Sequence, residues 1–321
     1  MGAISLSIEG WFGLNWTHWK RLVAEVEQRG FTGLFLSDHL AMQEPPAQDS
    51  LELIVALTYL ADHSARLHFG SMVSPLSIRD PVLLARQAMA LDDLSNGRMI
   101  LGVGAGWNAA EHRMFGYTLG DMATRMRRLE EGLEIITRLL RVEEPASYTG
   151  QFFQLHKAQV LPRPRRGSDL RILIGGTGPR RTLPLVARYA DIWNAGFLTP
   201  DMFRERSALL DQLLQAMGRQ PGDVKRSVTV PVFCGQSMAE LERRTRGFRR
   251  SSPYADMPLE ALLDQLQANL AAIVGTPETV VARIGAYAAA GVDELVIQWF
   301  GVDDIDGLNV VATDVLPHVA G

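Results

Sequence analysis

From the first residues of the chain to nearly the last, short apolar runs rich in β-branched residues alternate with stretches whose apolar residues recur at helical spacing. This alternation constrains the fold more tightly than any single motif. Parallel strands need a long crossover between them, and a helix fills it, so the pattern is that of a parallel sheet wrapped by helices. Runs at 3–8, 33–37, 67–74, 99–103, 171–175, 191–194, 228–233 and 294–298 read as strands. Helices are expected at 17–29, 51–63, 81–94, 125–141, 179–189, 200–217, 259–271, 277–290 and 303–316. In the 125–141 stretch Met126, Leu129, Leu133, Ile136 and Leu140 recur at steps of three and four, so one face must be buried. Pro81, Pro179, Pro200 and Pro277 each stand where a first helical turn would begin, a position that tolerates a missing N–H.

Eight strand–helix units in 321 residues fit one (β/α)8 barrel, and such barrels routinely exceed 250 residues as a single domain. The domain is expected to span 1–321. Two segments break the repeat and read as insertions. One, 142–170, follows the fourth long helix and carries Phe152-Phe153 and Pro162-Arg-Pro164. The other, 235–275, precedes the last strand. Both are expected at one end of the barrel, shaping specificity.

With 47% hydrophobic and 21% charged residues, the chain has ample material for a core and is neither disordered nor fibrous. A net charge of −4 with scattered arginines suggests neither nucleic acid nor an anionic membrane as partner, which leaves a small molecule. The single cysteine, Cys234, rules out an intramolecular disulfide and zinc sites built on paired thiolates. No metal site is expected. The N-terminus lacks a secretory pattern and no apolar stretch approaches the ~20 residues that span a bilayer, so the expected location is the cytoplasm.

Barrel chemistry belongs at the C-terminal ends of strands, and four segments there could carry it. Ser37-Asp38-His39 ends the second strand; a carboxylate beside an imidazole suits proton transfer, although Asp38 could equally cap a turn while His39 packs. The run 69–75 ends the third strand in small residues, including Ser71 and Met72, against which a planar ligand could lie. Gly104-Ala105-Gly106-Trp107-Asn108-Ala109 formally fits a dinucleotide fingerprint, but the acidic strand end required about 20 residues later falls inside a long helix. These glycines therefore read as clearing space at the barrel mouth. Gly175-Gly176-Thr177-Gly178, followed by a helix expected from Pro179 with Arg180 and Arg181 close by, makes a plausible phosphate cradle, although the turn could need glycine for its backbone angles alone. It lacks the lysine of a nucleoside-triphosphate loop. Trp11 and Trp107 could line a substrate pocket, with Phe152-Phe153 adding apolar surface, or could simply pack. Neither a metal-binding His-x-His on the first strand nor a Gly-x-Ser-x-Gly elbow occurs, which disfavours hydrolases.

Taken together, Phe35-Leu-Ser-Asp-His39, Leu94-Ser-Asn-Gly-Arg98 with Leu101-Gly-Val-Gly-Ala-Gly-Trp107, Ile174-Gly-Gly-Thr-Gly178 and Arg188-Tyr-Ala-Asp-Ile-Trp-Asn194 resemble the bacterial luciferase-like family over essentially the whole chain, and its deazaflavin-using branch in particular. The resemblance implies a (β/α)8 barrel with coenzyme F420, or alternatively FMN, across its C-terminal mouth. It implies Asp38 and His39 beside the ring and Ser71–Met72 as a strand-end bulge behind it. Ala105 and Gly106 would approach the ring, Gly175, Gly176, Thr177 and Gly178 would take the phosphate, and the chain would form a homodimer. Sugar-phosphate dehydrogenases of that branch carry a glutamate acid where this chain has Trp107, a departure from a glucose-6-phosphate site. The function implied is hydride transfer, with His39, tuned by Asp38, moving the proton. The alternatives are an oxygen-using FMN monooxygenase and a flavin-binding protein without catalysis.

Overall fold

A computed structural model describes residues 2–41, 48–163, 170–249 and 254–319. The first half runs β1 (Ala3–Ile8), α1 (Trp16–Gln28), β2 (Gly33–Leu36), α2 (Leu53–His63), β3 (His68–Ser71), β4 (Ser74–Pro75), α3 (Pro81–Leu94), β5 (Met99–Gly104), α4 (Ala109–Met114), α5 (Met122–Arg141), β6 (Ala146–Thr149) and β7 (Gln154–Ala158). The second runs β8 (Arg171–Gly175), α6 (Thr182–Tyr189), β9 (Ile192–Gly196), α7 (Pro200–Ala216), β10 (Lys225–Cys234), α8 (Met238–Arg244), α9 (Arg246–Arg249), α10 (Leu259–Leu270), β11 (Ile273–Gly275), α11 (Pro277–Ala289), β12 (Glu294–Trp299), α12 (Ile305–Val310) and α13 (Leu316–Val319).

Eight parallel strands close a ring in the order β1, β2, β3, β5, β8, β9, β10, β12. The first and last strands of the chain seal it, with Ala3 to Ile8 paired in step with Glu294 to Trp299. Every residue of β1 and of β12 is buried, because the barrel interior covers one face and the helices the other. The interior layer is Phe35, Ile100, Leu173, Ile192 and Val296, with Met72 and Val73 against it. The expected 67–74 strand divides into β3 and β4, and the Met72–Val73 peptide between them is cis.

Local signals set most helix starts. Pro81, Pro200 and Pro277 occupy the first turns of α3, α7 and α11, where Asp80, Thr199 and Thr276 accept backbone N–H bonds as caps. Pro179 does not begin α6. That helix starts three residues later, at Thr182, because the Thr182 and Leu183 N–H groups turn back onto the Gly178 carbonyl, each at 3.0 Å.

The segment after α5 holds an antiparallel hairpin, β6–β7, fixed to α5 by the Glu131 carboxylate, which accepts the Gln151 and Phe152 N–H groups, both at 2.9 Å. The Arg128 guanidinium lies over the Phe152 ring at 4.9 Å. Residues 164–169, including Pro164, lie outside the described residues, as do 250–253 of the second segment. That second segment builds α8 to α10 and β11, which pairs with β10, around a satellite core of Phe233, Leu241, Phe248, Leu262, Leu266 and Phe300.

Candidate active site

A cavity of about 650 Å³ opens at the C-terminal ends of the barrel strands. Trp11, Asp38, His39, Met72, Ala105, Gly106, Trp107, Gly175, Gly176 and Thr177 all line it. Two sequence candidates stand off from it. Ser71 is buried behind the wall with its hydroxyl donating to the Gly102 carbonyl at 2.6 Å, and Gly178 closes the turn into α6. The Phe152-Phe153 pair packs on α5 and does not line the cavity. A broader basin of about 1040 Å³ lies at the opposite end. Two of its cations are already paired, Arg226 with Asp211 and Lys225 with Glu294, and no aromatic ring lines it.

Asp38 and His39 follow the end of β2, and their side chains go to different partners. Asp38 turns to Arg79, which grips it through Nε at 2.9 Å and Nη2 at 2.7 Å while also pairing with Glu52 at 2.9 Å. His39 instead meets Glu111, with Nδ1 to Oε2 at 3.1 Å. Trp11 stacks flat on the imidazole, ring centroids 4.0 Å apart and planes within 8°, and Trp107 meets both rings edge-on. The imidazole is thereby fixed in plane and in hydrogen bonding.

The partner of His39 is thus Glu111, on α4, and not the adjacent Asp38. Glu111 is 1% exposed and also accepts the Leu40 N–H. Burial alone would lower the imidazole pKa, but the Glu111 hydrogen bond and the charges of Glu9, Glu111 and Asp38 outweigh it and raise the value above 6.5. Burial would likewise raise the Glu111 carboxyl, yet the His39 bond and charge, with the Leu40 and Ala41 N–H groups, hold it below its ordinary value. Each partner therefore favours the charged form of the other.

On the β5 side, Gly106 adopts φ +78, and a Cβ there would stand 2.2 Å from the Ser77 hydroxyl. That hydroxyl is bonded to His112 Nε2 at 2.8 Å, and the Gly106 carbonyl accepts from Arg125 at 2.8 Å, so Gly106 is held from both sides and presents bare backbone to the cavity. On the β8 side, the Gly176 N–H already donates to the Asn194 carbonyl at 3.0 Å, and Arg180 and Arg181 are exposed. Of the turn expected to hold a phosphate, the Gly176 N–H is thus engaged within the barrel, and Gly175, Gly176 and Thr177 line the cavity.

Three buried donors of cavity-lining residues have no partner: Trp11 Nε1, Asn108 Nδ2 and Arg125 Nε. Unpaired buried donors are costly and call for a ligand rich in carbonyl or phosphate oxygens. A flavin-type coenzyme has that character, and the bare wall at Ala105, Gly106, Gly175 and Gly176 suits a flat ring.

Sequence reasoning missed Glu111, Arg79, Arg125 and Glu9. Asn108 caps α4 by accepting the Glu111 N–H at 3.0 Å, and an Asn with an acid three residues on is a helix-start signal that could have singled Glu111 out.

A closed parallel barrel with one concave, aromatic and glycine-walled pocket at its C-terminal mouth defines an α/β-barrel protein built around a small-molecule site. Residues 12–294 match the luciferase-like monooxygenase family, and the chain belongs to it. It is 26% identical to the F420-dependent glucose-6-phosphate dehydrogenase of Kineococcus radiotolerans, over 91% of this chain and 90% of that one. The fold superposes on the coenzyme F420 dependent tetrahydromethanopterin reductase from Methanopyrus kandleri with a TM-score of 0.80, at 19% identity, covering 99% of this chain and 100% of the other. A monooxygenase from Streptomyces bottropensis gives a TM-score of 0.81, also at 19% identity, covering 99% of each chain.

Proposed function

We propose that the protein is an oxidoreductase that uses coenzyme F420 to transfer hydride to or from a small organic substrate. The observation that carries this reading is the His39–Glu111 couple in a mouth whose wall also includes the glycine-rich ends of β5 and β8. Likeness to F420-dependent enzymes along nearly the whole chain supports it. When bound, the deazaflavin ring supplies hydride exchange at its central carbon. The protein orients and handles protons. Ala105, Gly106, Gly175 and Gly176 accept the ring face, while Asn108, Arg125 and Thr177 serve its oxygens. Trp107 and the aromatic lining favour an apolar substrate over a sugar phosphate. The family resemblance supports a homodimer, and the single cysteine suits a reducing cytoplasm.

His39 touches the reacting molecule and carries the proton, and Glu111 positions and charges it. In the direction of substrate reduction His39 must enter as imidazolium, so kcat/KM is held below the raised pKa and lost as pH rises through it. Glu111→Gln removes the charge and keeps the shape, leaving burial to dominate. The loss of activity then begins at lower pH in the variant; an alkaline limb that stays in place would exclude Glu111 from this role.

Fluorescence titration with coenzyme F420 and with FMN, each oxidised and reduced, tests the coenzyme. Selective binding of F420 is expected. Preference for reduced FMN, with oxygen uptake coupled to substrate, would replace the reading by a monooxygenase. Coenzyme binding without turnover on any carbonyl, alkene or alcohol would leave a flavin-binding protein.

A further inference from the structure

Across the barrel from β8, the strands that seal the ring carry a pole of opposite character. Glu9, directly after β1, and Gln298, on β12, are 7% and 9% exposed, and both line the cavity. Gln298 Nε2 donates to Glu9 Oε1 at 2.6 Å. An ionised carboxylate only accepts, so this bond fixes which end of the amide faces Glu9. The other end, Gln298 Oε1, is buried and receives no hydrogen bond. Among the described residues Glu9 has no cation partner, whereas Asp38 is held by Arg79 and Glu111 by His39. Gln298 Oε1 is thus an acceptor without a donor, beside a carboxylate that receives the Gln298 amide but no cation.

The rings around them are continuous. Trp11 meets Phe12 at 5.9 Å, Phe12 meets Phe300 at 5.2 Å and stacks on Phe248 at 6.3 Å, and Phe248 meets Phe300 at 4.9 Å. Ring faces attract cations, most strongly where water is excluded. The attraction between Glu9 and the His39 ring acts without an ion-pair contact, and a buried carboxylate lacking such a contact is stabilised when a positive group meets it directly. An anionic ligand would be repelled here, and a neutral alcohol would satisfy one acceptor and leave the charge unmatched.

We propose that this pole recognises an organic cation: a substrate whose protonated nitrogen sits against Glu9 and Gln298 and whose apolar or ring portion lies among Trp11, Phe12, Phe248 and Phe300. The assignment of this occupant as substrate rests on the oxidoreductase reading above; the binding itself does not. The donor-rich region of Asn108 and Arg125 and the acceptor pole of Glu9 and Gln298 thus divide one cavity between two ligands of opposite polarity.

Three probes of equal size and different charge test this: benzylammonium, benzyl alcohol and benzoate, titrated calorimetrically at neutral pH into the full chain, alone and loaded with coenzyme F420. Benzylammonium is expected to bind at least about 10-fold more tightly than benzyl alcohol, with benzoate weakest. In Glu9→Gln the preference should fall to within about twofold while coenzyme binding is retained, which also shows that the variant folds. Gln298→Leu, which removes the second acceptor and leaves the charge, should weaken benzylammonium less than Glu9→Gln does. Equal binding of the three probes, a cation preference that survives Glu9→Gln, or no saturable benzylammonium binding overturns the proposal. Coenzyme F420 binding without cation preference sinks this inference and spares the hydride-transfer reading; cation preference without coenzyme binding does the reverse.

Discussion

His39→Ala is expected to cut turnover by about 10²-fold or more while leaving coenzyme affinity within about threefold of the parent. The imidazole is the polar group of the cavity that is both stacked in a fixed plane and paired to a buried carboxylate. Its removal deletes the proton carrier and also leaves Glu111, 1% exposed, without its partner. The two effects are separable. In His39→Ala/Glu111→Gln the carboxylate is neutralised, so any loss due to a stranded charge is relieved and only the loss of the proton carrier remains. Turnover that stays equally low in the double variant assigns the effect to the imidazole. Recovery to near the Glu111→Gln level would show that His39 merely compensates Glu111, and would remove it from the chemistry.

Gly102→Ala is expected to lower stability sharply. Gly102 sits in β5 where a Cβ would stand 2.0 Å from the Ser71 carbonyl oxygen, a backbone atom of β3 that cannot swing aside. The same Ser71 receives no relief from its side chain, which is bonded to the Gly102 carbonyl. Accommodation requires β3 and β5 to part beneath Val73, in the middle of the barrel wall. A cost of about 3 kcal/mol or more follows, read as a fall in Tm of roughly 5 °C or more. A variant melting within about 1 °C of the parent would show that the two strands are not in the contact described here.

The barrel was legible in the sequence because its strands are buried on both faces and so appear as mostly apolar runs, from 3–8 through 294–298, and because Pro81, Pro200 and Pro277 mark real helix starts. The β6–β7 hairpin was not legible, since Gln154 to Ala158 is polar and largely exposed and carries no strand signature. Pro179 misled because a proline fits a turn as readily as a helix start. At the site, glycine runs and the Asp38-His39 pair were found, but adjacency in sequence suggested the wrong partnership. The true partners, Arg79 for Asp38 and Glu111 for His39, lie 41 and 72 residues away. Such pairings exist only once the barrel is closed.

That closure has a consequence for how the molecule is made. β1 emerges from the ribosome among the first residues, yet its second neighbour, β12, is among the last, at Glu294 to Trp299. At about 5–20 residues per second, the unpaired edge of β1 waits on the order of tens of seconds for its mate. The hydrogen bond between Glu9 and Gln298 spans this same seam. One half of the cavity, the glycine wall of β5 and β8, can therefore be in place well before the acidic pole exists. Under the proposed assignments, the wall that takes the coenzyme is synthesised first and the pole that meets the substrate is completed last, when β12 closes the seam.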